Sequence, residues 1–189
     1  MADTSTASRA TTGMVPVHKS VLRLVTADIT TLDVDAIVFY ARPDLALGSG
    51  FGSAIARRGG GAIKKELDQI AHAGVTEAVV TTGGTLKARH LIHAVGPAFQ
   101  EPDLAQKLRA TIVNALREAE KRGISQIAFP AMGAGFYGVP LPLCADVMLS
   151  TLRGYLAGDT LIREVIVCVI DAREYRAFEP ALAALSQPA

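Results

Sequence analysis

Ile124-Ser125-Gln126-Ile127-Ala128-Phe129-Pro130-Ala131-Met132-Gly133-Ala134-Gly135-Phe136-Tyr137-Gly138 is the stretch on which the fold turns. Residues Ile124 to Phe129 read as a buried strand, ending in the apolar Ile127-Ala128-Phe129. From Met132 to Gly138 the chain becomes glycine-rich, and Pro142 to Tyr155 then reads as a helix. Strand, glycine loop and helix in succession form the repeating unit of an α/β sheet. The loop falls at the carboxyl end of its strand, where open α/β sheets bind ligands.

The neighbouring segments extend the pattern. Asp103 to Arg122 is a long amphipathic helix, with Leu104, Leu108, Ile112, Ala115 and Ala119 at spacings of three and four and Gly123 as its C-cap. Downstream lie a strand, Val165 to Ile170, and a closing helix, Glu174 to Leu185. Upstream, strands are expected at Val17 to Val25, Ala36 to Tyr40, Glu77 to Thr82 and His90 to Val95. Helices are expected at Ser53 to Arg58 and Ala62 to His72, with Gly59 to Gly61 between them. Early strands without intervening helices imply a mixed sheet. The expectation is a single α/β domain, a three-layer α/β/α sandwich over residues 15–189. A Ser-, Thr- and Ala-rich disordered tail over residues 1–14 precedes it.

The chain has 189 residues, enough for one domain with a sizeable core, and half of them are hydrophobic. Lys and Arg total 19 against 18 Asp and Glu, a net charge of +1, which counts against a nucleic-acid partner held through phosphate contacts. No apolar run approaches roughly 18 residues and no secretory pattern opens the chain, so no membrane partner is expected and the expected location is cytoplasmic. Cys144 and Cys168 lie in apolar stretches without CxxC spacing, and His72 and His90 lack partners at ligand spacing. Neither a metal nor another cofactor is expected. His93, in an apolar strand, reads as a core histidine; Arg57-Arg58 and Lys64-Lys65 read as solvated helix faces.

A second glycine loop, Leu47-Gly48-Ser49-Gly50-Phe51-Gly52, also runs from a strand into a helix. Glycines allow positive φ and close approach, and successive N–H groups at a helix N-terminus make an anion site. Alone, such a loop is as readily an ordinary strand-to-helix turn. Two at one sheet edge can grip a phosphate group from both sides, with backbone amides rather than Lys and Arg supplying the positive potential. Asp28, in Thr26-Ala27-Asp28-Ile29-Thr30, is either an acceptor for an adenine amino group or a turn-capping carboxylate.

These segments resemble the macro domain family of ADP-ribose readers and erasers. Thr26 to Thr30 is similar to the family's G-D-I-T. Val34-Asp35-Ala36-Ile37-Val38 resembles its D-A-I-V strand, and Leu91-Ile92-His93-Ala94-Val95-Gly96-Pro97 its V-I-H-x-V-G-P. Ile127 to Ala131 is similar to I-A-F-P-A, and Gly133 to Gly138 to S-x-G-x-Y-G. The resemblance implies a mixed, mostly parallel six-stranded sheet and a cleft for ADP-ribose. By that likeness Asp28 binds the adenine amino group and Ile29 backs the ring, while Ile170 replaces the usual aromatic. Gly48, Ser49, Gly50, Phe51 and Gly52 would meet the diphosphate and proximal region, with Gly133, Ala134, Gly135 and Phe136 on the other side. Tyr137, Ala41 and Arg42 would border the distal ribose.

The departures are informative. Where the family continues N-A-A-N, this chain has Phe39-Tyr40-Ala41-Arg42, with Arg42 in place of the second Asn, which by the resemblance orients the distal ribose. Where the hydrolytic branch places an Asp, it has Gly52, so both polar groups of the usual hydrolase are replaced. The leading expectation is therefore a binding module for free or protein-linked ADP-ribose or a related adenine diphosphate. An ADP-ribosyl hydrolase working by substrate-assisted chemistry is the alternative, and an RNA or nucleotide-polymer binder is third. Arg42 has three expected placements: paired with a terminal phosphate such as that of ADP-ribose 1″-phosphate, filling the distal pocket, or turned to solvent.

Overall fold

The structure, a computed structural model, describes residues 12–48 and 50–185. Two strands open it, β1 (Thr12–Val17) and β2 (Ser20–Thr26), followed by a 3-10 turn at Ile29–Thr31 and β3 (Ala36–Ala41). Helices α1 (Phe51–Gly59) and α2 (Gly61–Ile70) lead to β4 (Ala78–Thr82) and β5 (His90–Val95). The rest alternates: α3 (Leu104–Glu120), β6 (Gln126–Phe129), α4 (Leu141–Leu156), β7 (Glu164–Val169) and α5 (Ala172–Leu185).

The strands form one mixed sheet in the order β1-β2-β7-β6-β3-β5-β4, parallel from β2 to β5 and antiparallel at both edges. It has seven strands rather than the expected six, because the segment read as one strand from Val17 to Val25 belongs to a hairpin. Val17 pairs with Ser20 across a tight turn in which His18 takes a φ of 53°. No Gly, Asn, Asp or Pro occupies that turn to announce it. β1 also takes in residues 12–14, which the expected tail had included.

The buried run of β3 shows why the strand sequences carry no polar alternation. Ala36, Val38 and Tyr40 face the layer of α3, α4 and α5, among Leu108, Ile112, Met148 and Phe178. Ile37, Phe39 and Ala41 face the layer of α1 and α2, with Ile55, Ile63 and Leu67. Both faces are covered, and each buried Leu or Ile contributes about 1.5–3 kcal/mol.

Asp35 ties the start of β3 to the start of β6. Its Oδ2 accepts from the backbone N–H groups of Ser125 at 2.9 Å and Gln126 at 3.0 Å and from Ser125 Oγ at 3.0 Å, while Arg89 pairs with Oδ1. Burial works to raise this carboxyl, but the donors outweigh it and hold it down to about 2. From this common start, β3 exits to α1 on one face of the sheet and its neighbour β6 exits to α4 on the other. The parting of the chain leaves a crevice between their carboxyl ends.

Candidate functional site

That crevice is a cleft of about 670 Å³, well within the range of small-molecule sites. It runs along the carboxyl ends of β2, β7, β6 and β3. Those strands span three inter-strand gaps, roughly 14 Å, so the cleft suits an elongated ligand.

The two glycine loops form its middle. Gly48, Gly50, Phe51 and Gly52 line one wall, and Gly133, Gly135, Phe136 and Tyr137 the other; Ser49 lies outside the described residues. Gly50 caps α1 with φ 63° and ψ −125°, a conformation only glycine adopts readily, and among the described residues no side chain caps the helix. The first-turn N–H groups of α1 are thus left for a ligand or solvent. In the second loop, Gly138 N–H donates to Gly135 and Val139 N–H to Gly133. Among the described residues, the N–H groups of Gly135, Phe136 and Tyr137 donate to no protein acceptor.

Two expected contacts are not on the cleft. Ala134 spends its N–H on the Ala131 carbonyl at 3.2 Å and packs toward the core of α3, α4 and α5. Ala41 is fully buried against the α1–α2 layer, because strand alternation turns it away from the opening.

At the β2–β7 end stand Asp28, Ile29, Cys168, Ile170 and Glu174. The turn-capping reading of Asp28 is the one the structure shows. Its Oδ1 caps the 3-10 turn, accepting from Thr30 N at 3.0 Å and Thr30 Oγ1 at 2.6 Å, while it still lines the cleft. Arg58, expected on a solvated helix face, instead reaches back from α1 and donates to Asp28 Oδ2 at 2.6 Å and to Thr30 Oγ1. Burial would raise the Asp28 carboxyl, but the Thr30 and Arg58 donors prevail and hold it below the usual carboxylate range. A carboxylate oxygen has acceptor capacity for more than one donor, so Oδ2 retains room for an amino group. Ile170 is 71% exposed, an aliphatic shelf left for a ligand to cover. Glu174 accepts the Ile170 N–H at 3.0 Å. Cys168 lines the cleft, yet burial pushes its thiol up to about 12, which keeps it protonated and unreactive.

The β3 end is built from rings. Tyr40 donates its hydroxyl to the Pro97 carbonyl at 2.5 Å, packs 4.7 Å from the Tyr137 ring and fills the space beside Gly96. Phe39 meets Phe51 edge-on at 5.5 Å. The Phe39 Cζ also lies 3.1 Å from where a Cβ on residue 52 would stand, and the Leu47 carbonyl carbon lies at the same distance. A side chain at position 52 would therefore be crowded, and its neighbours would have to shift to admit one. Arg42 lines the cleft with its side chain 46% exposed, closest to the expected solvent-facing placement, and its guanidinium is engaged. It is bound bidentately to Asp44, Nε to Oδ1 at 3.1 Å and Nη2 to Oδ2, and Asp44 is held in turn by the Ala46 N–H.

His93 lies beneath Phe39, their rings 6.0 Å apart, with no exposure. Its Nε2 contacts Thr81 Oγ1 at 2.9 Å and its Nδ1 has no partner. Burial pulls it down to about 4, so it is neutral in the fold. Sequence reasoning missed Phe39, Tyr40, Cys168 and Glu174 as walls of the cleft. The available signal was that each sits at or just beyond the carboxyl end of a parallel strand.

The sequence pattern of the Macro domain family matches residues 41–148. A macro domain-containing protein of Cupriavidus necator is 36% identical over 167 residues, 85% of this chain and 96% of that protein. The solved Oceanobacillus iheyensis macrodomain with ADP superposes with a TM-score of 0.90 at 27% identity, covering 94% of this chain and 98% of that one. The Trypanosoma brucei macrodomain in complex with ADP-ribose gives 0.80 at 27% identity, covering 85% of this chain and 68% of that one.

Proposed function

Since the chain belongs to the macro domain family, we propose that its cleft binds an adenine diphosphate ligand, ADP-ribose or a near relative, free or attached to a protein. The observation that carries this reading is the pair of facing glycine loops, whose free N–H groups converge on the middle of the cleft. Oriented amides and a helix N-terminus form a ready anion site. The charged side chains on the cleft are already engaged: Asp28 with Arg58, Arg42 with Asp44, Glu174 with a backbone N–H. Attraction for the diphosphate thus falls to the backbone. The solved Oceanobacillus iheyensis and Trypanosoma brucei macrodomains, with ADP and ADP-ribose respectively, support the same assignment.

Calorimetric titration with AMP, ADP and ADP-ribose tests it. ADP is expected to bind at least ten-fold more tightly than AMP, with a shallow salt dependence, because few Lys or Arg contacts release counterions. Equal affinity for AMP and ADP would overturn the cradle. The hydrolytic alternative is weaker. Among the described residues, the carboxylates lining the cleft, Asp28 and Glu174, both sit at the β2–β7 end, which the proposed reading gives to the adenine rather than to the distal sugar. Release of ADP-ribose from a glutamate-modified protein should therefore be slow, and rapid turnover by the pure protein would restore the enzymatic reading.

A further inference from the structure

The chain has six Phe and four Tyr and no Trp, and five of these ten rings line one cleft: Phe39, Tyr40, Phe51, Phe136 and Tyr137. They gather at its β3 end and middle, whereas the adenine end is aliphatic, with Ile29 and Ile170. The polar inventory of the β3 end is correspondingly thin. Among the described residues no amide or carboxylate side chain lines it, and its one cation, Arg42, is bound to Asp44. Phe39 and the Leu47 backbone crowd residue 52, so a side chain there would need its neighbours to shift, and the native Gly52 brings no polar group to the cleft from α1.

Resting on the adenine diphosphate reading above, we infer that the β3 end of the cleft selects a ligand whose distal sugar carries a flat aromatic ring, rather than one ending in a free sugar. A free sugar pressed against these rings brings hydroxyls that lose water and find few partners, and unsatisfied polar groups are costly to bury. A planar ring meets the opposite situation. The half-buried rings of Phe51 and Tyr137, backed by the buried Phe39 and Tyr40, leave part of their surface toward the cleft for a further aromatic group held by offset or T-shaped contact. Phe136, 83% exposed and perpendicular to Tyr137 at 5.5 Å, stands at the rim with most of its surface free to cover such a ring. Phe39 is the specificity-determining residue of this arrangement, because it holds Phe51 in place and crowds position 52.

The test is parallel calorimetry with four probes: ADP, ADP-ribose, and the oxidised and reduced forms of nicotinamide adenine dinucleotide. The two dinucleotides carry a flat ring on the distal ribose, cationic in one and neutral in the other. At least one dinucleotide is expected to bind five-fold or more tightly than ADP-ribose. A preference for the oxidised form points to cation–π attraction, and equal binding of the two forms points to apolar contact; both support the subsite. In Phe39→Asn the ratio should fall to one or below. Should that variant fold poorly, Phe51→Ser, altering a partly exposed residue at the start of α1, should lower the same ratio. Tighter binding of ADP-ribose than of either dinucleotide by the native chain overturns the inference, as does a ratio that neither variant moves. Binding of ADP by the native chain separates the two levels. If ADP binds and the dinucleotides show no advantage, only the aromatic subsite fails. If ADP does not bind, the adenine diphosphate reading fails first.

Discussion

Gly52→Asp would place a carboxylate in the first turn of α1, and elementary considerations favour it. A glycine inside a helix is worse than other residues by about 0.5–1 kcal/mol, and an acidic group at a helix N-terminus gains about 0.3–1 kcal/mol. An open site would thus be stabilised by roughly 1 kcal/mol. The structure reverses the sign. The new Cβ would stand 3.1 Å from both the Leu47 carbonyl carbon and Phe39 Cζ, and 3.3 Å from Leu47 Cα. Ordinary carbon contacts lie at about 3.5–4.0 Å. The Leu47 atoms are backbone and cannot rotate aside; Phe39 is 7% exposed and held between Phe51 and His93. Overpacking of this kind costs about 1–3 kcal/mol, so Gly52→Asp should destabilise the fold by about 1 kcal/mol net. Phe39→Asn, by removing the ring, should be costly alone but should relieve part of that penalty. Urea denaturation of the native chain, both single variants and the double variant gives the coupling directly. It is expected at about 1 kcal/mol, in the sense that Gly52→Asp costs less in the Phe39→Asn background than in the native chain. A stabilised Gly52→Asp, or a coupling below about 0.5 kcal/mol, would show that Phe39 does not govern position 52.

Three further outcomes are expected. His93 is neutral in the fold at a pKa of about 4, below its unfolded value, so the unfolded chain binds the extra proton between those limits. Its contribution is full above about pH 6.5 and is lost as pH falls toward 4, on the order of 3 kcal/mol in all. Denaturation midpoints across that range should decline in the native chain and flatten in His93→Leu; an identical slope in both would remove His93 as the cause. Asp28→Ala should weaken ADP-ribose binding by about 1.5–3 kcal/mol and, by uncapping the 3-10 turn and freeing Arg58, also lower stability by about 1 kcal/mol. Unchanged affinity in titration would take Asp28 out of the site. Gly135→Glu should fold normally, since a Cβ there meets nothing within 4 Å, yet abolish ADP binding by placing bulk and negative charge in the cradle; retained ADP affinity in a folded variant would refute the two-loop arrangement.

Much of this molecule is legible before any coordinates. Ile127 to Phe129 and Ala36 to Ala41 announce buried parallel strands because both their faces are covered, and the glycine loops after them mark the sheet's carboxyl edge. The β1–β2 hairpin escapes notice because its turn, with His18 at positive φ, uses none of the residues that usually signal one. The Arg58–Asp28 pair joins residues 30 positions apart, and helical spacing alone gives Arg58 no such partner. Arg42 is a subtler case. Its partner is two residues away, but whether a carboxylate at that distance folds back depends on the local turn, in which Leu45 donates its N–H to the Arg42 carbonyl.

The deepest gap concerns the departures from the family pattern. Phe39 and Arg42 stand where the resemblance puts the two Asn of N-A-A-N, and Gly52 stands where it puts an Asp; Phe39 and Gly52 are 13 positions apart in sequence. In space these two are neighbours, because Phe39 Cζ lies 3.1 Å from where a Cβ on residue 52 would stand. A substituent's absence carries no sign of its cause until the neighbour that excludes it is located. Once it is, the polar groups missing from the β3 end cannot be treated as independent defects in a hydrolytic site. Returning a carboxylate to position 52 would collide with Phe39, and returning an amide at position 39 would open a cavity beside Gly52 without supplying a carboxylate. A carboxylate at position 52 is therefore tolerated better when position 39 is smaller, while the second Asn of the family pattern would have to return separately, at Arg42. The packing of Phe39 against Gly52, Phe51 and His93 gives the β3 end an apolar wall, and the ligand preference proposed above rests on that wall.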